Sequence, residues 1–433
     1  MAARRRGPPL RLRTARPGDR SGRAVIVTFA EHSLRFSLRF RPDGQVRRTA
    51  VTRRGACFDE HRGAGEVRHR FADGDALLRA PRRRFSAETA ETAARVLERP
   101  LARVGPRAEA ALRELSRDAR VTLVLSGLHQ HVAAGAEGGG GTDERRMCAV
   151  EAVLEQGLAE AAPWDLTGPL TSALAGAERI VDRLRDRAAR RRADAVPGRA
   201  DVLLAPGRAG AFFHELVGHP MEADVLRSGV VYLRPGVRLG PEWLTVADGA
   251  VRAAAGFRAR IDDEGSACTE AVLIRRGVVA RAMTDRVTAG FDARFRPTGH
   301  GRRLDYRHPA IPRMTHTCAF ADAPAEPPDR EWIEPYGLRP ETVNPATGDF
   351  SFLALAPTLH RPDAPPLRLP RLRLAGNART ALAALRPADP TVVEDARARR
   401  GCGKLGQFPL PVTFANAGMV LPAGTVSIEV AGP

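Results

Sequence analysis

The chain has 433 residues, 43% of them hydrophobic, which is enough for more than one buried core. Lys and Arg outnumber Asp and Glu by 68 to 50, a formal net charge of +18 that raises nucleic acid as a partner. Arginines scattered along the whole chain, with only 5% aromatic residues for base stacking, argue against that role.

Residues 1–21 hold seven arginines against one aspartate and lack an apolar h-region, so they read as a disordered basic tail and not a secretory signal. Residues 24–29 and 35–40 predict short strands separated by a turn. Helices are expected over 87–98 and 106–117, and a strand over 120–125. His129 and His131 alternate onto one strand face without a carboxylate or cysteine beside them, which suits a packing or surface role. Glu137-Gly138-Gly139-Gly140-Gly141-Thr142 reads as a bend, because no Lys-Ser/Thr follows to open a phosphate-binding helix. Segments 149–161 and 170–192 predict helices, the second with Leu174, Ile180, Val181 and Leu184 as its apolar stripe. Val196-Pro197-Gly198 marks a boundary, dividing the chain into 22–196 and 197–433. No run of 18 apolar residues is present, so no membrane-spanning helix is expected. Five cysteines, odd in number and far apart, argue against a disulfide framework and for a reducing cytoplasm.

Beyond the boundary, a strand over 202–205 precedes His214-Glu215-Leu216-Val217-Gly218-His219. Imidazole is a preferred Zn²⁺ ligand, and a carboxylate beside such a pair can take a proton from water. In the commoner spacing the histidines stand four apart on one helix face. Here they stand five apart, and an ideal α-helix would separate them by ~140°. The helix must therefore be locally unwound, by a π-bulge or a break. Gly218 tolerates unusual backbone angles, and Pro220 removes an N–H, clashes with the Leu216 carbonyl and pushes His219 off helical dihedrals. A catalytic zinc usually takes three protein ligands. Glu222 and a cysteine are the candidates for the third. Gly401-Cys402-Gly403-Lys404 offers a cysteine between glycines, close to the only lysine in the chain.

Asp262-Asp263-Glu264-Gly265 reads as a turn, with a supporting role near the site, and 271–280 as a strand. Arg302, Arg303, Arg313 and His308 suit either a cleft that binds a peptide carboxylate or ordinary structural ion pairs.

The stretch from His214 to Asp224 (HELVGHPMEAD) and residues 402–407 (CGKLGQ) resemble the paired signatures of the TldD/PmbA metallopeptidases. Between them, in the order that the TldD side shows, come Asp262-Asp263-Glu264-Gly265, Pro297-Thr298-Gly299-His300-Gly301-Arg302-Arg303, Tyr306-Arg307-His308-Pro309 and Pro312-Arg313-Met314-Thr315. The resemblance runs from about residue 201 to 407. It implies an α+β fold, with an N-terminal α/β domain followed by a β-rich catalytic domain carrying a broken metal-binding helix. It further implies zinc held by His214, His219 and Cys402, Glu215 as general base, and a cytoplasmic peptidase paired with a metal-free PmbA-type (TldE-like) subunit. The implied substrates are unfolded or small peptides, including modified natural-product precursors. The chain departs from the family pattern at Pro220, where glycine is usual, at His300 and His316, and after Gln407. These changes bear on the cleft and not on the ligand set. The alternatives are an amidohydrolase acting on a small biosynthetic intermediate and a non-catalytic, zinc-stabilised subunit of a larger complex.

Overall fold

The structure is a computed structural model that describes residues 25–62, 66–73, 106–136, 139–154, 159–163, 170–292, 294–395 and 401–432. The expected basic tail and the expected helix over 87–98 lie outside these residues.

The first half is built on six antiparallel strands: β1 (Val25–Phe40), β2 (Val46–Arg62), β3 (Glu66–Asp73), β4 (Thr122–Ala136), β5 (Gly139–Val153) and β6 (Ala159–Pro163), in the order β3-β2-β1-β4-β5-β6. β1 is one unbroken strand, not two short ones with a turn between them. Residues 30–34 keep their register with both β2 and β4. Their polar side chains suggested a turn, but Glu31 is buried and accepts hydrogen bonds from Gln130 Nε2 at 2.8 Å and the Tyr306 amide at 3.0 Å. The glycine run is likewise no bend over its described part, because residues 139–141 pair with 134–136.

The helix expected over 149–161 is overturned. Residues 149–153 belong to β5, and Ala159–Pro163 forms β6 against them. High alanine content favours a helix in isolation, but tertiary pairing overrides propensity. The alanines serve packing instead: a methyl placed on Gly176 of helix Leu170–Ala189 would lie 3.4 Å from Val150 and 3.7 Å from Ala162. That helix and helix Pro106–Ala119 cover one face of the sheet, burying Ile180, Val181, Leu184 and Leu112 against Leu34, Phe36, Leu123 and Leu125. On the other face Phe29, Cys57, Val132 and Ala134 receive Tyr306 from the second half of the chain.

The second half carries a ten-stranded mixed sheet. β7 (Asp201–Leu204), β8 (Leu244–Asp248), β9 (Ala271–Arg275) and β10 (Val278–Val279) belong to it, so the strand expected over 271–280 is a tight hairpin. Strand Thr413–Leu421 lies at its centre, parallel to His316–Ala321 and antiparallel to β7. The long apolar strands and the segment following β7 bury one large core that includes Phe212, Phe213, Leu216 and Val217. Among the described residues no helix is long and apolar enough to cross a membrane.

Candidate metal centre

β7 leads into an α-helical turn, Gly210–Phe213, which widens into a π-turn over His214–Gly218 and then tightens to a 3₁₀ turn over His219–Met221. The His219 amide donates to the His214 carbonyl, the five-residue hydrogen bond that defines a π-turn. The wider turn brings residues five apart round to one side, so the two imidazoles meet with ring centroids 5.0 Å apart. Two details differ from the sequence expectation. Gly218 has ordinary helical angles, φ −60° and ψ −62°. It is glycine for want of space, since a Cβ there would overlap the Met314 sulfur. His219 also stays helical, at φ −57° and ψ −44°, and the chain turns extended only at Glu222. Proline at 220 leaves the Leu216 carbonyl without its usual amide donor, and the buried Tyr232 hydroxyl donates to that oxygen instead.

Cys402 arrives from far along the chain on strand Cys402–Lys404, which forms a hairpin with Gln407–Leu410. Gly401 precedes it at φ +85°, and a Cβ there would come within 2.8 Å of the Leu410 carbonyl, so glycine is required. The Cys402 Sγ sits 3.1 Å from His219 Nε2. One ligand atom from each of His214, His219 and Cys402 lies within 4.8 Å of the others. Burial raises the Cys402 thiol pKa, but His214 and His219 more than reverse this and bring it down to about 4. A soft thiolate and two imidazoles converging in a buried pocket form a donor set that suits zinc. Glu215 stands at the rim, partly exposed, with Oε2 3.8 Å from His219 Nε2.

The imidazoles are held from behind. His219 Nδ1 lies 3.1 Å from Glu222 Oε2, and Lys404 Nζ lies 2.8 Å from that same oxygen and 2.7 Å from Asp224 Oδ1. Glu222 is fully buried, which alone would raise its pKa, yet Lys404 and His219 hold it well below the usual carboxylate range. Glu222, a candidate third ligand from sequence, thus bonds to the far side of His219, and the lone lysine neutralises it. His214 Nδ1 is 3.5 Å from Thr317 Oγ1, which donates to Asp248 Oδ2 at 2.7 Å. Asp248 also accepts from the Thr315 amide and hydroxyl, and burial is outweighed by His300, Thr317 and Thr315, which bring its pKa to about 2. Sequence reasoning missed Asp248 and Thr317. The only signal was a lone aspartate closing an apolar strand.

The acidic triplet is a turn, as expected, and its carboxylates bond both within the turn and to distant segments. Asp262 accepts from the Glu264, Ser266 and Gly301 amides at 2.8–3.0 Å. Asp263 pairs with Arg145 of β5 at 2.5 Å, tying the first sheet to the second half. The arginines are structural. Arg303 bridges Asp59 at 3.0 Å, Arg302 donates to the Met314 carbonyl, and Arg313 is fully buried with its Nε 3.7 Å from Glu222. His308 Nδ1 lies 2.8 Å from Asp305. His129 and His131 do have a carboxylate: Glu144, opposite on β5, lies 2.7 Å from His129 Nε2. Cross-strand neighbours are invisible to sequence spacing. Arg146 also binds Glu144, so that carboxylate is already paired with a cation.

A family model described as the PmbA/TldA metallopeptidase C-terminal domain matches residues 197–399. A protein of Saccharolobus solfataricus named zinc metalloprotease TldD homolog is 36% identical over 121 residues, 28% of this chain and 27% of its own. A metalloprotease of Methanocaldococcus jannaschii is 39% identical over 123 residues, again 28% and 27%. These matches span about a quarter of each relative's length. Among solved structures, TldE from Thermococcus kodakarensis superimposes with a TM-score of 0.66 at 15% identity, covering 93% of this chain and 96% of that one. A Thermotoga maritima protein titled a putative modulator of DNA gyrase gives 0.61 at 13% identity, covering 94% and 96%. These structural likenesses establish the mixed α+β fold along nearly the whole chain, and the family model matches its second half. Residues 197–399, just under half of the chain, match the C-terminal domain of the PmbA/TldA metallopeptidases.

Proposed function

We propose that this chain is the metal-bearing, TldD-like type of the family, a zinc-dependent peptidase that hydrolyses unfolded or small peptides. His214, His219 and Cys402 would hold the ion, and Glu215 would act as general base. The observation that carries the reading is the meeting of these three donors, with Cys402 183 residues along the chain from His219, beside a partly exposed carboxylate. Relatives named metalloprotease, matched over 28% of this chain, support it.

Bound zinc would polarise the scissile carbonyl and lower the pKa of a water ligand. Glu215 takes a proton as the water oxygen bonds to the carbonyl carbon. It then delivers that proton to the amide nitrogen as the C–N bond breaks. Glu222 with Lys404 and Asp248 with Thr317 fix the two imidazoles, so neither has to reorient during turnover. The division of labour proposed for the chain places these residues in a catalytic domain, 197–433, with 22–196 as the N-terminal domain.

The test compares wild type, Glu215→Gln and Cys402→Ala for zinc content and for hydrolysis of an unfolded peptide. Glu215→Gln should keep its zinc and lose about 10²–10⁴ in rate. Cys402→Ala should lose the metal. Unchanged turnover in Glu215→Gln, or full zinc in Cys402→Ala, would overturn the assignment.

A further inference from the structure

A cavity of about 1210 Å³ opens between the helical side of the first sheet and the outer strands of the second, and shares no lining residue with the metal centre. Six arginines line it: Arg117, Arg120, Arg187, Arg192, Arg368 and Arg371. Among the described residues, the only carboxylate on its wall is Asp43. None of the six forms a salt bridge with a carboxylate among the described residues. Basic residues in the last turn of a helix complement its dipole, which accounts for Arg117 and Arg187. It does not account for Arg192, nor for Arg368 and Arg371, which come from the other half of the molecule.

The wall is built and not merely charged. Arg187 is 9% exposed, stacks on the Tyr336 ring with 3.2 Å to the centroid, and donates to the Ala356 carbonyl and Thr358 hydroxyl at 3.2 Å. Arg368 Nε is fixed on the Arg190 carbonyl at 3.0 Å. Between the guanidiniums the wall is apolar, with Leu154, Leu355 and Leu369. Converging like charges repel, and an anion that bridges them removes the repulsion. Among the described lining residues, six guanidiniums face one carboxylate. A single peptide carboxylate would answer one of them. A chain of phosphates, with several charges and many acceptor oxygens matched to the guanidinium fork, answers most.

We propose that this cavity binds an oligophosphate anion, either a free inorganic chain or the phosphate tail of a nucleotide. Arginines from the helix ends and from the second sheet hold it together, so the bound anion ties the two halves of the chain to each other. Because binding favours the folded state, the anion should raise the melting temperature, and the rise should continue with the logarithm of its concentration above the Kd.

The full-length chain is titrated calorimetrically with inorganic triphosphate, ATP and AMP, and its melting temperature is followed alongside. The cavity variant Arg120→Glu/Arg192→Glu/Arg371→Glu is compared with a control of equal charge change on exposed arginines elsewhere, Arg70→Glu/Arg234→Glu/Arg339→Glu. We expect one triphosphate per chain, weakened about ten-fold or more in the cavity variant and little changed in the control. ATP binding as tightly as triphosphate, with AMP weak, identifies the phosphate chain as the recognised group. ATP binding more tightly than triphosphate adds a contribution from the base on the apolar wall. Equal weakening in both triple variants would mean that the diffuse +18 field attracts the anion and would overturn the site, as would the absence of saturable binding.

Discussion

Lys404 Nζ lies 2.8 Å from Glu222 Oε2, and that same oxygen lies 3.1 Å from His219 Nδ1. The single lysine of the chain therefore acts on a proposed metal ligand through one buried carboxylate. The hydrogen bond to Nδ1 fixes the imidazole so that Nε2 faces Cys402. Removing either partner should weaken metal binding without removing a ligand. Glu222→Gln and Lys404→Met should each lower zinc affinity by about 10–100-fold, as outer hydrogen-bond partners of metal ligands typically do. Competition with a chromophoric chelator measures this. Affinity unchanged in both variants would assign the triad to folding alone.

Gly218 offers a second test, of packing. Its angles are those any residue adopts, so its need for glycine lies in the Met314 sulfur, which occupies the space of a Cβ. Met314 is buried and cannot swing into solvent. Gly218→Ala should cost about 1–3 kcal/mol, the usual range for overpacking a filled core. Zinc occupancy should fall as the π-turn shifts. The cost should be less than additive with Met314→Ala, which clears the space. Strict additivity in denaturant melts would mean that the strain lies elsewhere.

How far the sequence could be read follows from range. The five-residue histidine spacing and Pro220 required an unwound helix because both act within a turn or two of backbone. Cys402 and Lys404 stood out through local context, glycines on both sides and a unique residue type. Asp248 and Thr317 behind His214 carried no such mark, since they reach it only through strand pairing between β8 and His316–Ala321. The same blindness hid Glu144 from His129, and it turned the alanine-rich strands over 149–161 into an expected helix. Where a contact is made by sheet register, spacing along the chain is silent.

Glu264 sets up a pH test. Burial, then the nearby Asp285 and Asp262, raise its pKa well above the usual carboxylate value. Asp262 and Asp285 are themselves pushed up to about 6, chiefly by burial. The folded state thus keeps protons that the unfolded chain releases near pH ~4. Stability from these groups is full below that pH and is lost as pH rises through the folded values. Glu264→Gln is neutral at every pH and retains an oxygen to accept from the Arg286 amide. The variant should gain on wild type as pH rises from about 5 to 8, and the gap should close in acid. Melting temperatures across that range decide it, and a pH-independent gap would show that Glu264 does not titrate there.

The last prediction concerns assembly. Leu405 in the turn of the hairpin that carries Cys402, and Phe408 just after it, are 46% and 63% exposed. Large apolar side chains displayed beside a reactive site suit a surface that another chain covers. A peptidase must also keep folded proteins out, and a second subunit closing over the cleft would admit only short or unfolded chains. The hypothesis is a pair with a metal-free PmbA-type subunit, burying well over ~1,000 Å². The isolated chain should then show low activity, with activity restored when the partner is added and folded proteins left intact. Phe408→Asp, which leaves every proposed metal ligand in place, should weaken pairing while zinc content stays unchanged. Size-exclusion chromatography with light scattering, coupled to a peptide assay, reads both effects. A fully active monomer that degrades folded proteins would end the enclosure idea. Pairing untouched by Phe408→Asp would move the interface away from this hairpin.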